Sequence, residues 1–165
     1  MVTTLPSQPL GADFLVSKRG RRVLFHADDM GATPTVSERL CDAWENGLLD
    51  GFSVFGNCDH PEVISSRLAS NPDRTARIAV HLNLWEGQPI SPVNEVPSLV
   101  DRSGFLDLEF SDVLRRVRMG RPQRSGTTFL AQVELEWRAQ IEAVLGMIWP
   151  RRLTALDGHL HVHMI

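Results

Sequence analysis

The chain is poor in the features that usually classify a short sequence. Its two cysteines, Cys41 and Cys58, cannot build a disulfide framework or a zinc ribbon, so a reducing, cytoplasmic compartment is expected. The first twenty residues hold no continuous apolar segment, and no stretch approaches the length of a bilayer span, so no membrane partner is expected. Excess positive charge is also missing. The net charge is −3, which argues against a general nucleic-acid or anionic-membrane binder, and the arginine-dense stretches 19–22 and 115–124 read as solvated surface. No Gly-x-Gly-x-x-Gly follows a strand and no Walker loop occurs, which removes the usual nucleotide signatures.

What remains is an ordinary soluble composition, 42% apolar and 22% charged, in 165 residues, enough for one domain with a sizeable core. Residues 1–20 mix Pro, Gly, Ser and Thr without a period and read as a loose leader to a domain over 21–165. Residues 23–27 form a short apolar run of the kind found in strands buried on both faces, ending at Asp28 and Asp29. Thr33 and Pro34 supply an N-cap and a first helical residue; Val36, Leu40, Ala43 and Trp44 keep helical spacing; Asn46 and Gly47 close the element.

The pattern then repeats. A second strand is expected over 51–55, a helix over 61–69, and a third strand over 78–84. Residues 85–110 are irregular and rich in Pro and Gly, which marks a functional loop or lid. A short helix over 111–119 follows. Phe129, Val133, Trp137, Ile141, Val144, Leu145 and Ile148 then outline an amphipathic helix, and a fourth strand over 153–156 runs into His159, His161 and His163. Alternating strands and helices imply an α/β fold with parallel pairing and right-handed crossovers.

Three strand ends carry groups that bind metals: Asp28 and Asp29, His81, and Asp157 with His159. Each has an ordinary reading when taken alone. The Asp pair could cap a helix, His81 could be a satisfied core histidine, and the histidine run could be a surface cluster. Their convergence on one sheet edge, where ligands gather in such folds, favours a site. In an extended segment His159, His161 and His163 would point the same way, and Asp157 would orient an imidazole. His161 and His163 are then substrate contacts or support for the ligands, and Trp85, beside His81, is a candidate substrate contact. One carboxylate and two histidines around a divalent cation make a hydrolytic arrangement, with zinc, manganese, iron, cobalt or magnesium all compatible. Cys58, beside His60, offers a thiol nucleophile, but neighbours in sequence rarely face one another productively.

Residues 26–31 (His-Ala-Asp-Asp-Met-Gly), 80–89 (Val-His-Leu-Asn-Leu-Trp-Glu-Gly-Gln-Pro) and 156–163 (Leu-Asp-Gly-His-Leu-His-Val-His) occur in an order and spacing that resemble the YdjC-like carbohydrate deacetylases, the group that includes chitooligosaccharide deacetylase and relatives from hopanoid biosynthesis. The resemblance implies an irregular (β/α) barrel, here about its first four βα units, that removes acetyl groups from N-acetylated sugars or oligosaccharides. It implies one divalent ion, Mg2+ or Zn2+, on Asp29, His81 and His159, with Asp28 and Asp29 as the catalytic carboxylates. The chain departs from the family at Met30, where phenylalanine is usual, at Gly158, where serine is usual, and at His26, where a small or amide side chain is usual. Two other readings stand beside it. One is a different barrel metal hydrolase, of amidohydrolase or phosphoesterase type. The other is a catalytically incomplete chain that associates through open sheet edges, and on either count a homo-oligomer is expected.

Overall fold

The computed structural model describes residues 23–119 and 128–164, with the backbone alone at 119, 162 and 163. The expected leader lies outside the described residues. In chain order the elements are β1 (His26–Met30), α1 (Pro34–Glu45), β2 (Gly51–Phe55), α2 (Pro61–Ser70), β3 (Arg77–Leu82), α3 (Phe110–Met119), α4 (Phe129–Ile148) and β4 (Leu153–Gly158), closed by a 3-10 segment (His159–Met164). The strands form one parallel sheet in the order β1-β2-β3-β4. The α/β architecture matches the expectation from the alternating pattern. Among the described residues the sheet is open, with β1 and β4 at its edges.

Side-chain alternation divides the sheet into two faces. Met30, Phe52, Val54, Ile78, Val80 and Leu82 turn to one side and pack with Cys41 and Trp44 of α1, Ile64 and Leu68 of α2, and Val144 and Ile148 of α4. Ser53, Phe55, Ala79, His81 and Asp157 therefore fall on the other. Thr33 caps α1 by accepting the Val36 N–H at 3.1 Å, with Pro34 in the first turn. At the end of β2, α4 approaches so closely that a Cβ on Gly56 would lie 2.6 Å from the Gln140 backbone, so only glycine fits there.

The structure corrects three local expectations. The first strand is His26–Met30, shifted toward the Asp pair, and Val23, Leu24 and Phe25 are exposed. Ladder pairing begins at His26 opposite Gly51 on an edge strand, so among the described residues the apolar run ahead of it is flanked only on one side. Second, the irregular stretch is not an open lid: Leu84, Val96, Leu99, Leu106 and Leu108 form a small core with Val113 of α3 and with Phe129 and Val133 of α4. Third, α4 does not bury the full apolar stripe expected. Leu145 is exposed, whereas Gln132, Glu136 and Gln140 are buried. These polar side chains, spaced by one turn, bind the backbone of the loop: Gln132 Oε1 accepts from Ser98 N, Glu136 from Ile90 N and Ser91 N, and Gln140 Oε1 from Asn83 N.

Candidate functional site

Adjacent residues on a regular strand face opposite ways, yet Asp28 and Asp29 both reach the face away from the helices. The cause is in the register. Ala27 pairs with Phe52 and Met30 with Val54, so β1 carries one extra residue, a β-bulge. Asp29 absorbs it in a left-handed conformation, φ +61°, which Asp tolerates better than most residues but which still costs energy. Met30 then returns to the core. Strain at this position is what places two neighbouring carboxylates on one surface.

Asp29 meets His81 from β3 and His159 from just after β4. Its Oδ1 is 3.2 Å from His81 Nε2 and 3.2 Å from His159 Nδ1. The two imidazole rings are 5.4 Å apart and steeply inclined, and the Phe55 ring lies 4.9 Å from His81 and 5.2 Å from His159. Asp29, His81 and His159 can each offer one ligand atom within 4.8 Å of the others. Two donors about 2.1 Å from a small divalent ion, at tetrahedral to octahedral angles, lie about 3.0–3.4 Å apart, so the observed separations suit such an ion.

Behind His81, Asp157 Oδ1 accepts the Nδ1–H at 2.6 Å. That fixes the tautomer and leaves Nε2 as the ligand atom on the side of Asp29. Asp157 in turn accepts the hydroxyl of Ser53, from β2, and His26 Nε2 lies 2.7 Å from the same Ser53 oxygen. A hydroxyl has one proton; with that proton on Asp157, His26 donates to Ser53. His26, Asp28 and Asp157 also lie close enough to share an ion. The Ser53 oxygen lies near all three, with Asp28 Oδ1 at 3.4 Å, and its single proton serves one of the two carboxylates at a time.

Burial works to raise the Asp157 carboxyl, but the hydrogen bonds from His81 and Ser53 and the His81 charge outweigh it and hold it below the usual range. Burial works to lower His81, but the bond to Asp157 and the charges of Asp157, Asp29 and Asp28 outweigh it and raise it. The signs define a window. Asp157 adds stability above about pH 3.9 that is lost as pH falls through its lowered value, and His81 adds stability below about pH 6.5 that is lost as pH rises through its raised value. In the metal-free chain, Asp157→Asn should therefore destabilise most at about pH 4–6.5, with the gap to wild type closing on either side. Urea denaturation across pH reads this directly, and a gap that ignores pH would rule out a charge-linked pair.

Other sequence-predicted residues are dispersed. The expected histidine column does not form, because β4 stops at Gly158 and Leu160 and His161 turn to positive φ, 50° and 61°. Alternation ends there, so His159 joins the cluster while His161 is exposed. The His163 side chain lies outside the described residues. Trp85 is half-buried, and its backbone N–H binds Asn83 Oδ1. Burial pushes the Cys58 thiol up, away from a reactive thiolate, and it accepts from the His60 backbone rather than facing its ring. One carboxylate escaped the sequence reading: Glu86 Oε1 lies 3.6 Å from His159 Nε2. Its position in the second motif-bearing segment, five residues after His81, was the available signal.

Fold and site together define a parallel α/β protein with a carboxylate–imidazole cluster at the carboxyl ends of its strands. A family model described as YdjC-like protein matches residues 22–165. The chain belongs to the YdjC-like family. It is 33% identical over 144 residues to a carbohydrate deacetylase of Oceanobacillus iheyensis, covering 86% of this chain and 55% of that protein. A carbohydrate deacetylase of Enterococcus faecalis is 30% identical over 146 residues, covering 87% and 50%. A crystal structure from Enterococcus faecalis, described as a "putative cellobiose-phosphate cleavage protein", superposes with TM-score 0.64 at 27% identity, covering 85% of this chain and 49% of that one. The chain thus spans about half the length of the curated relatives it matches.

Proposed function

We propose that this protein is a metal-dependent hydrolase that removes acetyl groups from N-acetylated carbohydrates. The observation that carries this reading is the meeting of Asp29, His81 and His159 from three separate strand ends, with Asp157 fixing His81 from behind. Relatives named carbohydrate deacetylases supply the reaction class. Asp29, His81 and His159 would hold one divalent ion, Zn2+ or Mg2+. When bound, such an ion acidifies a water and polarises a carbonyl. Asp28, on the same face, takes a proton from the attacking water as it adds to the acetamide carbon. The C–N bond then breaks, the nitrogen receives that proton, and acetate and an amino sugar leave.

The open sheet edges at β1 and β4 favour association with further strands, either completing a barrel or joining a second copy. The two free cysteines suit a reducing, cytoplasmic setting. The name of the Enterococcus structure favours a second reading, cleavage of a phosphorylated sugar. Against it, the cavity beside the cluster is lined by Asp59 and Glu86 and by no Lys or Arg among the described residues. One assay separates the two. The chain is incubated with N-acetylglucosamine oligomers, or with a phosphorylated disaccharide, with and without Zn2+ or Mg2+. Metal-dependent acetate release is expected, and release of a monosaccharide and a sugar phosphate from the disaccharide, without acetate release, would replace the first reading with the second.

A further inference from the structure

Beside the cluster, between the loop entering α1 and the loop after β3, lies a cavity of about 340 Å³ whose walls include Thr33, Phe55, Asn57, Asp59, Asn83 and Glu86. Phe55 also packs against both imidazoles, so the cavity borders the site directly. Its polar walls are of two kinds. The two asparagines are committed internally. Asn83 Oδ1 accepts from Trp85 N and Glu86 N, and its Nδ2 donates to Asn57 Oδ1 and Glu86 O. Asn57 Nδ2 donates to Glu86 O and Gln88 O. Both backbone groups of Glu86 are thereby held.

The Glu86 carboxylate takes no part in this bracing. It is 59% exposed, and Oε1 faces His159 Nε2 at 3.6 Å. The two histidines turn opposite ring nitrogens toward Asp29, Nε2 from His81 and Nδ1 from His159. Each remaining nitrogen has a carboxylate near it, Asp157 for one and Glu86 for the other. Ligating imidazoles commonly donate their second N–H to such a group.

We propose that the cavity is the subsite for the sugar ring, and that Glu86 couples it to the cluster. One carboxylate oxygen accepts the His159 Nε2–H and keeps Nδ1 toward the ion. The other accepts a hydroxyl hydrogen of the sugar. An ionised carboxylate is an acceptor only, so this wall selects hydroxyl donors. Its size falls at the small end of ligand pockets, fitting a single ring. An apolar acyl or peptide ligand would instead suit the larger groove over Leu130, Trp137, Ile141 and Leu145 of α4, which contains none of the cluster residues. The proposal rests on the deacetylase reading for the identity of the sugar.

The test uses the full chain as wild type, Glu86→Gln and Glu86→Ala. Zn2+ is titrated alone, and di-N-acetylchitobiose is titrated into the metal-free protein. Both affinities should fall in the order wild type, Gln, Ala, with Zn2+ weakened about tenfold or more in Ala. With Zn2+ bound, nitrogen NMR of His159 should report the Nε2–H tautomer in wild type and a mixture in Ala. Wild-type affinities in Glu86→Ala, sugar shifts confined to the α4 groove, or no sugar binding by a chain that binds Zn2+ would each overturn the subsite. Sugar and Zn2+ binding that follow Glu86 without any acetate release would keep the subsite and sink the deacetylase reading. Acetate release indifferent to Glu86 would do the reverse.

Discussion

Asp29→Gly should abolish divalent-cation binding and yet leave a metal-free protein that is more stable than Asp29→Ala. The two halves of that result have separate causes. Asp29 supplies the anionic donor of the cluster, and its Oδ1 lies 3.2 Å from each of the two imidazole nitrogens. Without it, two imidazoles remain and no anionic donor, and the loss should exceed the 10- to 100-fold typical of groups that only support a ligand, roughly 100-fold or more. The stability half follows from the backbone. At φ +61° an L-residue is strained by about 1–2 kcal/mol and glycine is not. Asp29→Ala should lose the metal and pay the strain as well, and so melt below the glycine variant. Calorimetric titration with Zn2+ and thermal melts of the three metal-free proteins read both halves. Retained Zn2+ affinity in Asp29→Gly would remove Asp29 from the ligand set, and a glycine variant melting well below alanine would remove the strain argument.

That strain also explains where sequence reasoning reached and where it stopped. Strand–helix alternation and the Thr33–Pro34 start of α1 were legible because each depends on residues close in sequence, and the convergence of three strand ends followed from the parallel pairing that such alternation implies. The bulge at Asp28–Asp29 was not. It exists only in the pairing of Ala27 and Met30 with Phe52 and Val54, and a shift of one residue decides which face every side chain takes. The histidine run failed for a related reason. His159, His161 and His163 share a face only while the backbone stays extended, and the positive φ values at Leu160 and His161 end that. Ser53 gave no signal at all, since its role comes from Asp157, 104 residues away, reaching over Ala79 to the same hydroxyl.

The helix α4 shows the same limit with the largest consequence for stability. Its apolar spacing is real, but the face it buries holds Gln132, Glu136 and Gln140, whose partners lie 34 to 57 residues away in the loop after β3. Glu136 is fully buried. It accepts from Ile90 N at 3.0 Å, Ser91 N at 2.8 Å and Gln140 Nε2 at 2.9 Å. Glu136→Ala would leave those donors unpaired in a dry interior, at about 1–3 kcal/mol for each one that water does not reach. A loss of about 3 kcal/mol or more is expected, a large part of the roughly 5–15 kcal/mol that folds a domain. The melting temperature should fall by about 10 °C. Glu136→Gln keeps the shape and one acceptor oxygen, so it should lose less. The damage should also travel. Gln140 holds both backbone groups of Asn83, and Asn83 holds Glu86, so a loosened Glu136–Gln140 pair frees the mount of the carboxylate beside His159. Zn2+ affinity in Glu136→Ala should therefore drop at temperatures where the protein is still folded, and by no more than in Glu86→Ala. A melt within 2 °C of wild type would mean that ordered water replaces the carboxylate. Destabilisation without any change in Zn2+ affinity would mean that the loop is held by its own Leu84–Leu99 core and not by the helix.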